Sequence, residues 1–388
     1  MIDIQEKEKC SGCHACLSVC PKNCITMMAD AEGFLYPHVN EEACLRCGKC
    51  TVVCPILNAK LSTEAKKPKA YAAINRQEQV RRTSSSGGVF FALAIVTIQK
   101  GGVVFGACID DNRQVVHTFI ENEADIGKLM GSKYVQSTVG QTYLQAKQFL
   151  SMGREVLFVG TPCQIGGLRA FLGKEYPNLC CVDIVCHGVP SPKVWDKYVR
   201  YQEKKYGAVA QRISFRDKCT GWRAYSMKME FSNGEIYQKL HEDDAYMRLF
   251  LSDVCLRPSC HDCHFKGLNR NSDITLADCW GAERVLNQED DDKGISLILI
   301  HSDKGMRAFA EIEKDCDKQE VDIDKAIREN PSAIKSTVPH KKRISFFAEI
   351  EKISLSKATK KYAPYQRSMK ENLAKLLKKI GVWKLIKK

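Results

Sequence analysis

Eight cysteines near the start of the chain fall into two copies of one spacing, Cys10-x2-Cys13-x2-Cys16-x3-Cys20-Pro21 and Cys44-x2-Cys47-x2-Cys50-x3-Cys54-Pro55. Thiolates are soft metal ligands, and three of them in a tight loop reach three corners of an iron–sulfur cubane while a fourth arrives from the start of a helix elsewhere. Zinc also takes Cys-x2-Cys pairs, but eight cysteines in this duplication argue against it. Cys24 lies outside the repeat and reads as a buried free thiol.

The duplicated run resembles the bacterial two-cluster ferredoxin pattern, in which the fourth cysteine of each run ligates the other cluster. One 4Fe–4S cluster is then assigned to Cys10, Cys13, Cys16 and Cys54, and the other to Cys44, Cys47, Cys50 and Cys20. Phe34, Tyr36 and Pro37-His38 between the halves read as a hairpin covering the clusters.

Further along, Cys255-Leu-Arg-Pro-Ser-Cys260-His-Asp-Cys263 places three thiols within nine residues, with Cys163 and Cys186 able to approach from other loops. Three local ligands and one distant one again suit a cubane; zinc is a stronger rival here because His261 and His264 lie alongside. In Gly160-Thr-Pro-Cys163-Gln164 a thiol sits where a strand turns into a helix, whose N-terminus should favour the thiolate. In Arg82-Thr-Ser-Ser-Ser-Gly-Gly-Val-Phe90, serines and glycines precede an apolar helix over 89–99, an anion-binding start or an ordinary capped helix.

The elements that must position these residues divide the chain. Residues 1–58 hold the duplicated cysteines, 59–69 read as a polar linker, and 70–340 alternate short β-rich runs with helical patterns. The fold class expected is α+β (mixed α/β): a bacterial-ferredoxin-like domain, a larger mixed-sheet domain and a basic helical tail. Strands are expected over 102–109, 155–159, 181–186 and 295–301, with helices over 164–172, 193–206 and 304–314. The segments 225–231 and 235–237, joined by Asn233-Gly234, read as a hairpin that makes the sheet mixed. Loops at the C-terminal ends of such strands are the usual ligand sites of open sheets.

Residues 341–388 carry fifteen Lys and Arg against three Asp and Glu, nearly all of the net charge of +13. Within this tail, 372–388 reads as a basic amphipathic helix containing Trp383, suited to an anionic membrane surface or to docking on its own domain. No nucleic-acid-binding signature accompanies the charge, so nucleic acid is not an expected partner. The charged start MIDIQEKEKC lacks an export signal and no apolar run approaches the roughly 20 residues of a membrane span. Clustered thiols therefore point to a reducing cytoplasm, with peripheral contact at the inner face of the membrane left to the tail.

Together these pieces resemble the coenzyme F420 hydrogenase/dehydrogenase beta-subunit family. They are Ser85–Gly88, Gly131-Ser-Lys-Tyr-Val-Gln136, Gly160–Gln164, Cys186-His-Gly-Val-Pro190, Phe215-Arg216 with Gly221-Trp222, Cys255–Cys263 and Asp273–Gly281. The resemblance implies an FAD and a third 4Fe–4S cluster in the second domain. Flavin contacts are expected from Ser85, Ser86, Gly87, Gly88, Lys133, Tyr134, Thr161 and Gln164. Lys133 is expected to face the pyrophosphate or the reduced flavin, His187 to give a proton or to be structural, and Arg216 with Asp278 to orient substrate or close an ion pair. Cys279 stands where the family is expected to carry an aromatic residue and is a rival fourth ligand to Cys163 and Cys186. Cys108, Cys180, Cys181, Cys219 and Cys316 read as ordinary thiols.

The function implied is an iron–sulfur flavoprotein oxidoreductase passing electrons between a ferredoxin-like carrier and a small organic substrate or deazaflavin-type coenzyme. The alternative is a non-catalytic electron-transfer subunit docked on a separate catalytic chain. A homo-oligomer is left open.

Overall fold

A computed structural model describes residues 1–58 and 67–365. Each cysteine run closes a loop and enters a short helix, Ala15–Val19 or Lys49–Val52, through a residue of positive φ, His14 at 65° and Gly48 at 73°. Between the runs, β1 (Ile25–Ala29) and β2 (Leu35–Val39) pair antiparallel, the hairpin read around Phe34 and Tyr36. The apolar core of this unit is small, Ile2, Cys24, Ile25 and Cys50, and Cys13, Ala15 and Val53 extend it by packing on the larger domain. The hairpin tip docks on the rest of the chain: Lys193 Nζ donates to the Ala31 carbonyl at 3.0 Å, Ser191 Oγ to the Glu32 carbonyl at 2.5 Å, and Arg343 pairs with the Glu32 carboxylate.

The main sheet has eight strands: β3 (Lys69–Asn75), β4 (Val103–Ile109), β5 (Val115–Ile120), β6 (Val156–Gly160), β7 (Leu179–Ile184), β11 (Ile274–Asp278), β12 (Ser296–Ile300) and β13 (Cys316–Glu320). Their order is β13-β3-β12-β11-β7-β6-β4-β5. The central four, β4, β6, β7 and β11, run parallel, and the flanking pairs are antiparallel. Helices cover both faces: Val89–Gln99 and Asp303–Glu311 pack Leu93 and Phe309 on Val182 and Ile298, while Thr142–Ser151 and Pro162–Leu172 pack Tyr143 and Leu168 on Phe105 and Phe158. Burial on both sides is why these strands read as near-continuous apolar runs.

Two expectations change. The Asn233-Gly234 hairpin forms as β9 (Ser226–Phe231) and β10 (Ile236–Leu240), but with β8 (Ala210–Asp217) it builds a separate three-stranded sheet. Met227, Met229 and Phe231 turn inward on Trp195, Tyr198 and Tyr246, a core of their own. The main sheet is mixed through its flanking strands instead.

The folded body also runs past residue 340. Helices Arg343–Glu349 and Leu355–Tyr362 bury Phe346, Ile350, Leu355, Ala358 and Tyr362 in that second core. Their lysines face outward, so net charge concealed a helical apolar face. The helix read over 372–388 lies outside the described residues. Among the described residues no helix is long and apolar enough to cross a membrane.

Candidate cluster and cofactor sites

In the N-terminal unit, burial pushes the Cys16 thiol up to about 12, and nearby Cys10 and Cys54 push the same way. The Cys13 thiol is raised by burial, with Cys16 and Cys10 adding. Cys16 thus lies near Cys10 and Cys54, and near Cys50 of the second run as well. Cys20 lies 3.3 Å from Cys24, which also feels Cys44. Cys24 is buried as read, but it adjoins a candidate ligand rather than standing apart. Backbone N–H groups of Ile2 and Arg46 point at the sulfurs of Cys50 and Cys44, at 3.2 and 3.4 Å. Such bonds stabilise thiolates and tune cluster potentials. Cys47 is exposed, which puts this second centre at the surface.

The second set of thiols differs from the sequence reading at one position. Cys163, Cys186, Cys260 and Cys263 line one cavity. Burial pushes the thiols of Cys163, Cys186 and Cys260 up to about 12, and in each case another member of the set adds to the rise. Burial therefore overrides the helix N-terminus that was expected to favour the Cys163 thiolate. Cys255 is not part of this group: it lies fully buried in the aromatic core with Tyr246 and Leu256. The one-turn segment Pro258–Cys260 separates it from Cys260. Cys279 packs with Ala72, Ala282 and Leu297 and is no rival. Four thiols, one from the helix after β6, one from the loop after β7 and two from the loop of Cys260 and Cys263, are a donor set that suits a cubane; among the described residues no three His, Cys, Asp or Glu side chains converge on a single-ion site.

Beside these thiols, at the C-terminal ends of β6, β7 and β11, lies a cavity of about 530 Å3, within the range of cofactor sites. Cys163 and Cys186 line it too, together with Ser85, Ser86, Gly88, Lys133, Tyr134, Thr161, Gln164 and His187. The helix Val89–Gln99 opens here at Gly88, φ 90°, with no side chain capping it. Its first turn therefore offers N–H groups to an anion.

Gly87 does not line the cavity. A Cβ there would come 2.3 Å from the Ala73 carbonyl, and its N–H donates to Ser296 Oγ at 2.9 Å, so glycine is required by packing against the sheet. Thr161 and Gln164 form a capping box, with the Thr161 N–H donating to Gln164 Oε1 at 2.9 Å. Ser132 Oγ donates to Ser85 Oγ at 2.9 Å.

Lys133 departs from its expected task. Its ammonium donates to the carbonyls of Leu129 and Met130 at 2.9 and 2.7 Å, closing the end of the helix Ile126–Leu129, and burial pushes it down to about 7. It is a wall residue with its donors engaged, not a free cation. His187 Nε2 stands 2.5 Å from Asp253 Oδ1 and its ring meets Phe250 edge-on. Arg216 Nη1 donates to Asp278 Oδ2 at 2.6 Å, and Trp222 Nε1 to Asp278 Oδ1 at 3.1 Å: the ion-pair reading of these residues is the one seen.

Residues 9–57 match the 4Fe–4S dicluster domain, and residues 153–326 match the family described as the C terminus of the coenzyme F420 hydrogenase/dehydrogenase beta subunit. Residues 153–326 thus carry the C-terminal domain of this beta-subunit family, behind a dicluster domain.

Among the family's curated relatives, a subunit of the F(420)H(2) dehydrogenase of Methanosarcina mazei is 21% identical over 280 residues, covering 67% of this chain and 73% of that protein. An uncharacterized Methanocaldococcus jannaschii protein is 22% identical over 340 residues, 79% of this chain and 87% of its own length. The coenzyme F420-dependent sulfite reductase of the same organism is 31% identical over 176 residues, 43% of this chain but only 26% of that enzyme. A chain of the F420-reducing [NiFe] hydrogenase complex from Methanosarcina barkeri superposes with a TM-score of 0.47 at 16% identity, covering 76% of this chain and 92% of that one. The chain is thus an iron–sulfur protein related to oxidoreductase subunits.

Two residues of the site, Arg257 and Gln136, lie in motifs quoted from the sequence but were given no role there. Arg257 is fully buried, with Nε 2.7 Å from the Cys10 carbonyl, Nη1 2.9 Å from Gln136 Oε1 and Nη2 3.0 Å from the Leu35 carbonyl. Its position between Cys255 and Cys260 was the available signal.

Proposed function

We propose that this chain is an iron–sulfur flavoprotein oxidoreductase that passes electrons between a one-electron carrier of the ferredoxin type and a small organic substrate or deazaflavin-type coenzyme. The observation that carries this reading is the shared wall: Cys163 and Cys186 line both the four-thiol site and the larger cavity at the strand ends. Clusters carry single electrons and a flavin accepts one or two, so their adjacency converts one-electron flow into two-electron chemistry on an organic acceptor.

The chain's own residues have separate tasks in this scheme. Gly88 and the helix start behind it receive the phosphates of FAD. Tyr134, stacked on Phe250 at 4.8 Å, forms an aromatic wall. His187, oriented by Asp253, holds a proton at Nδ1 or Nε2 within the cavity lining, where a substrate being reduced needs one. The crossed N-terminal cysteines hold two 4Fe–4S clusters, and Cys163, Cys186, Cys260 and Cys263 hold a third.

The second reading, a non-catalytic subunit docked on a catalytic chain, is favoured by the name of one relative, a dehydrogenase subunit. Iron, acid-labile sulfide and flavin per chain in anaerobically purified protein separate the two. The proposal expects about 12 iron and one flavin, from four irons per cubane. About 8 iron and no flavin after reconstitution would overturn it and leave the docked subunit.

A further inference from the structure

Arg257 is a buried cation that no carboxylate pairs with among the described residues. A charge of this kind is costly in a protein interior unless something balances it. Its hydrogen bonds go to neutral groups: two backbone carbonyls and the Gln136 amide. The Tyr36 ring centroid lies 4.3 Å away and that of Phe34 5.5 Å, contacts that favour a cation but do not neutralise it.

Cysteine-bearing loops lie on two sides of it. Its Nε holds the carbonyl of Cys10, in the loop of the first N-terminal centre. Its own backbone N–H donates to Val189, three residues beyond Cys186, and the turn it starts ends at Cys260. Gln136, in the wall of the larger cavity, accepts from Arg257 and donates to the Ser11 carbonyl at 3.1 Å. The contact is tight enough to dictate Gly12, where a Cβ would come 2.6 Å from Gln136 Nε2 and 2.9 Å from Arg257 Nη1.

We propose that Arg257 is a positioning residue of the electron path: it seats the Cys10–Cys16 loop on the second domain, and its charge is balanced by the anionic clusters on either side, raising their reduction potentials. This rests on the proposal that Cys163, Cys186, Cys260 and Cys263 hold a cluster. Four thiolates around a cubane leave a net anion, and each electron received makes it more negative, so a fixed cation nearby favours the reduced form. The step served is the passage of one electron from one cluster to the other; no bond forms or breaks, and the one-electron carrier supplies the electron.

The test is a potentiometric titration followed by EPR on the full-length, cluster-loaded protein. In Arg257→Gln, the first N-terminal cluster and the second-domain cluster are expected to titrate at lower potential than in the parent, while the distal cluster of Cys20, Cys44, Cys47 and Cys50 stays in place. Arg257→Lys, which keeps the charge, is expected to restore most of the shift. Should Arg257→Gln fail to hold its clusters, Gln136→Glu neutralises the guanidinium in place and is expected to lower the same two potentials. Unmoved potentials, or an equal shift of all three clusters, would overturn the proposal. If iron analysis shows that the second-domain cluster is absent, that separate reading fails, and the first cluster's potential still decides the role of Arg257.

Discussion

Gly167 faces Cys13 so closely that a Cβ on it would lie 2.9 Å from the cysteine's Cβ and 3.0 Å from its Sγ. The helix Pro162–Leu172, which carries Cys163 near its start, therefore touches the loop of the first N-terminal centre directly. Glycine in mid-helix costs about 1 kcal/mol relative to alanine, so Gly167→Ala would ordinarily stabilise the helix. Here the added methyl collides with a buried thiol, and overpacking of this kind costs about 1–3 kcal/mol. The variant is expected to lower the denaturant midpoint and to perturb the EPR signal of the first cluster. Parent-like values for both would remove the contact from the account.

Cys255 and Cys260 differ by five positions and by their surroundings. Serine at 260, 163, 186 or 263 is expected to reduce iron by about 4 per chain, the content of one cubane. Cys255→Ser is expected to keep the iron and lose stability, because it puts a hydroxyl among aromatic side chains. Iron and sulfide analysis beside a thermal melt checks this, and loss of one cluster from Cys255→Ser would reverse the ligand assignment.

Gly87→Ala should separate flavin from iron. Its methyl would meet the Ala73 carbonyl and the Ser296 backbone nitrogen, at 2.3 and 2.7 Å, and so shift the serine–glycine turn away from the sheet. The expected outcome is flavin occupancy reduced at least severalfold with N-terminal iron retained, read from the absorption spectrum and metal analysis. Unchanged flavin would show that this turn does not form the phosphate end of the cavity.

Acid stability should reflect three histidines, His14 and His117 buried and His301 partly so. Burial lowers His14, His117 and His301 to about 4 from an ordinary value near 6.5. Below pH 6.5 the unfolded chain takes up protons that the folded one refuses, so the stability present in full above pH 6.5 is lost as pH falls towards 4. His117, whose ring contacts Ser137 Oγ at 2.9 Å and the Val159 carbonyl at 3.1 Å, is the clearest case. In paired denaturant titrations at pH 7.5 and 5.5, His117→Gln is expected to lose less stability on acidification than the parent. An equal loss would place the acid sensitivity elsewhere.

The sequence by itself determined whatever depends on short separations along the chain. Three-residue cysteine spacings close one loop whatever surrounds them, which is why the duplicated runs were legible. The strand over 103–109 and the helix over 162–172 were legible too, because apolar runs and a capping turn are local. Tertiary structure alone decided what depends on strand order. Placing β7 between β6 and β11 brings Cys163, Cys186 and Cys260 to one cavity, although no local pattern distinguishes Cys260 from Cys255. Lys133 had the right type and spacing for a phosphate contact, yet the fold turned its ammonium onto the carbonyls at a helix end. Arg257 looked like any arginine in a loop; only the docking of two folded units gave it the Cys10 carbonyl, the Tyr36 ring and its burial, since those partners lie more than 200 residues away.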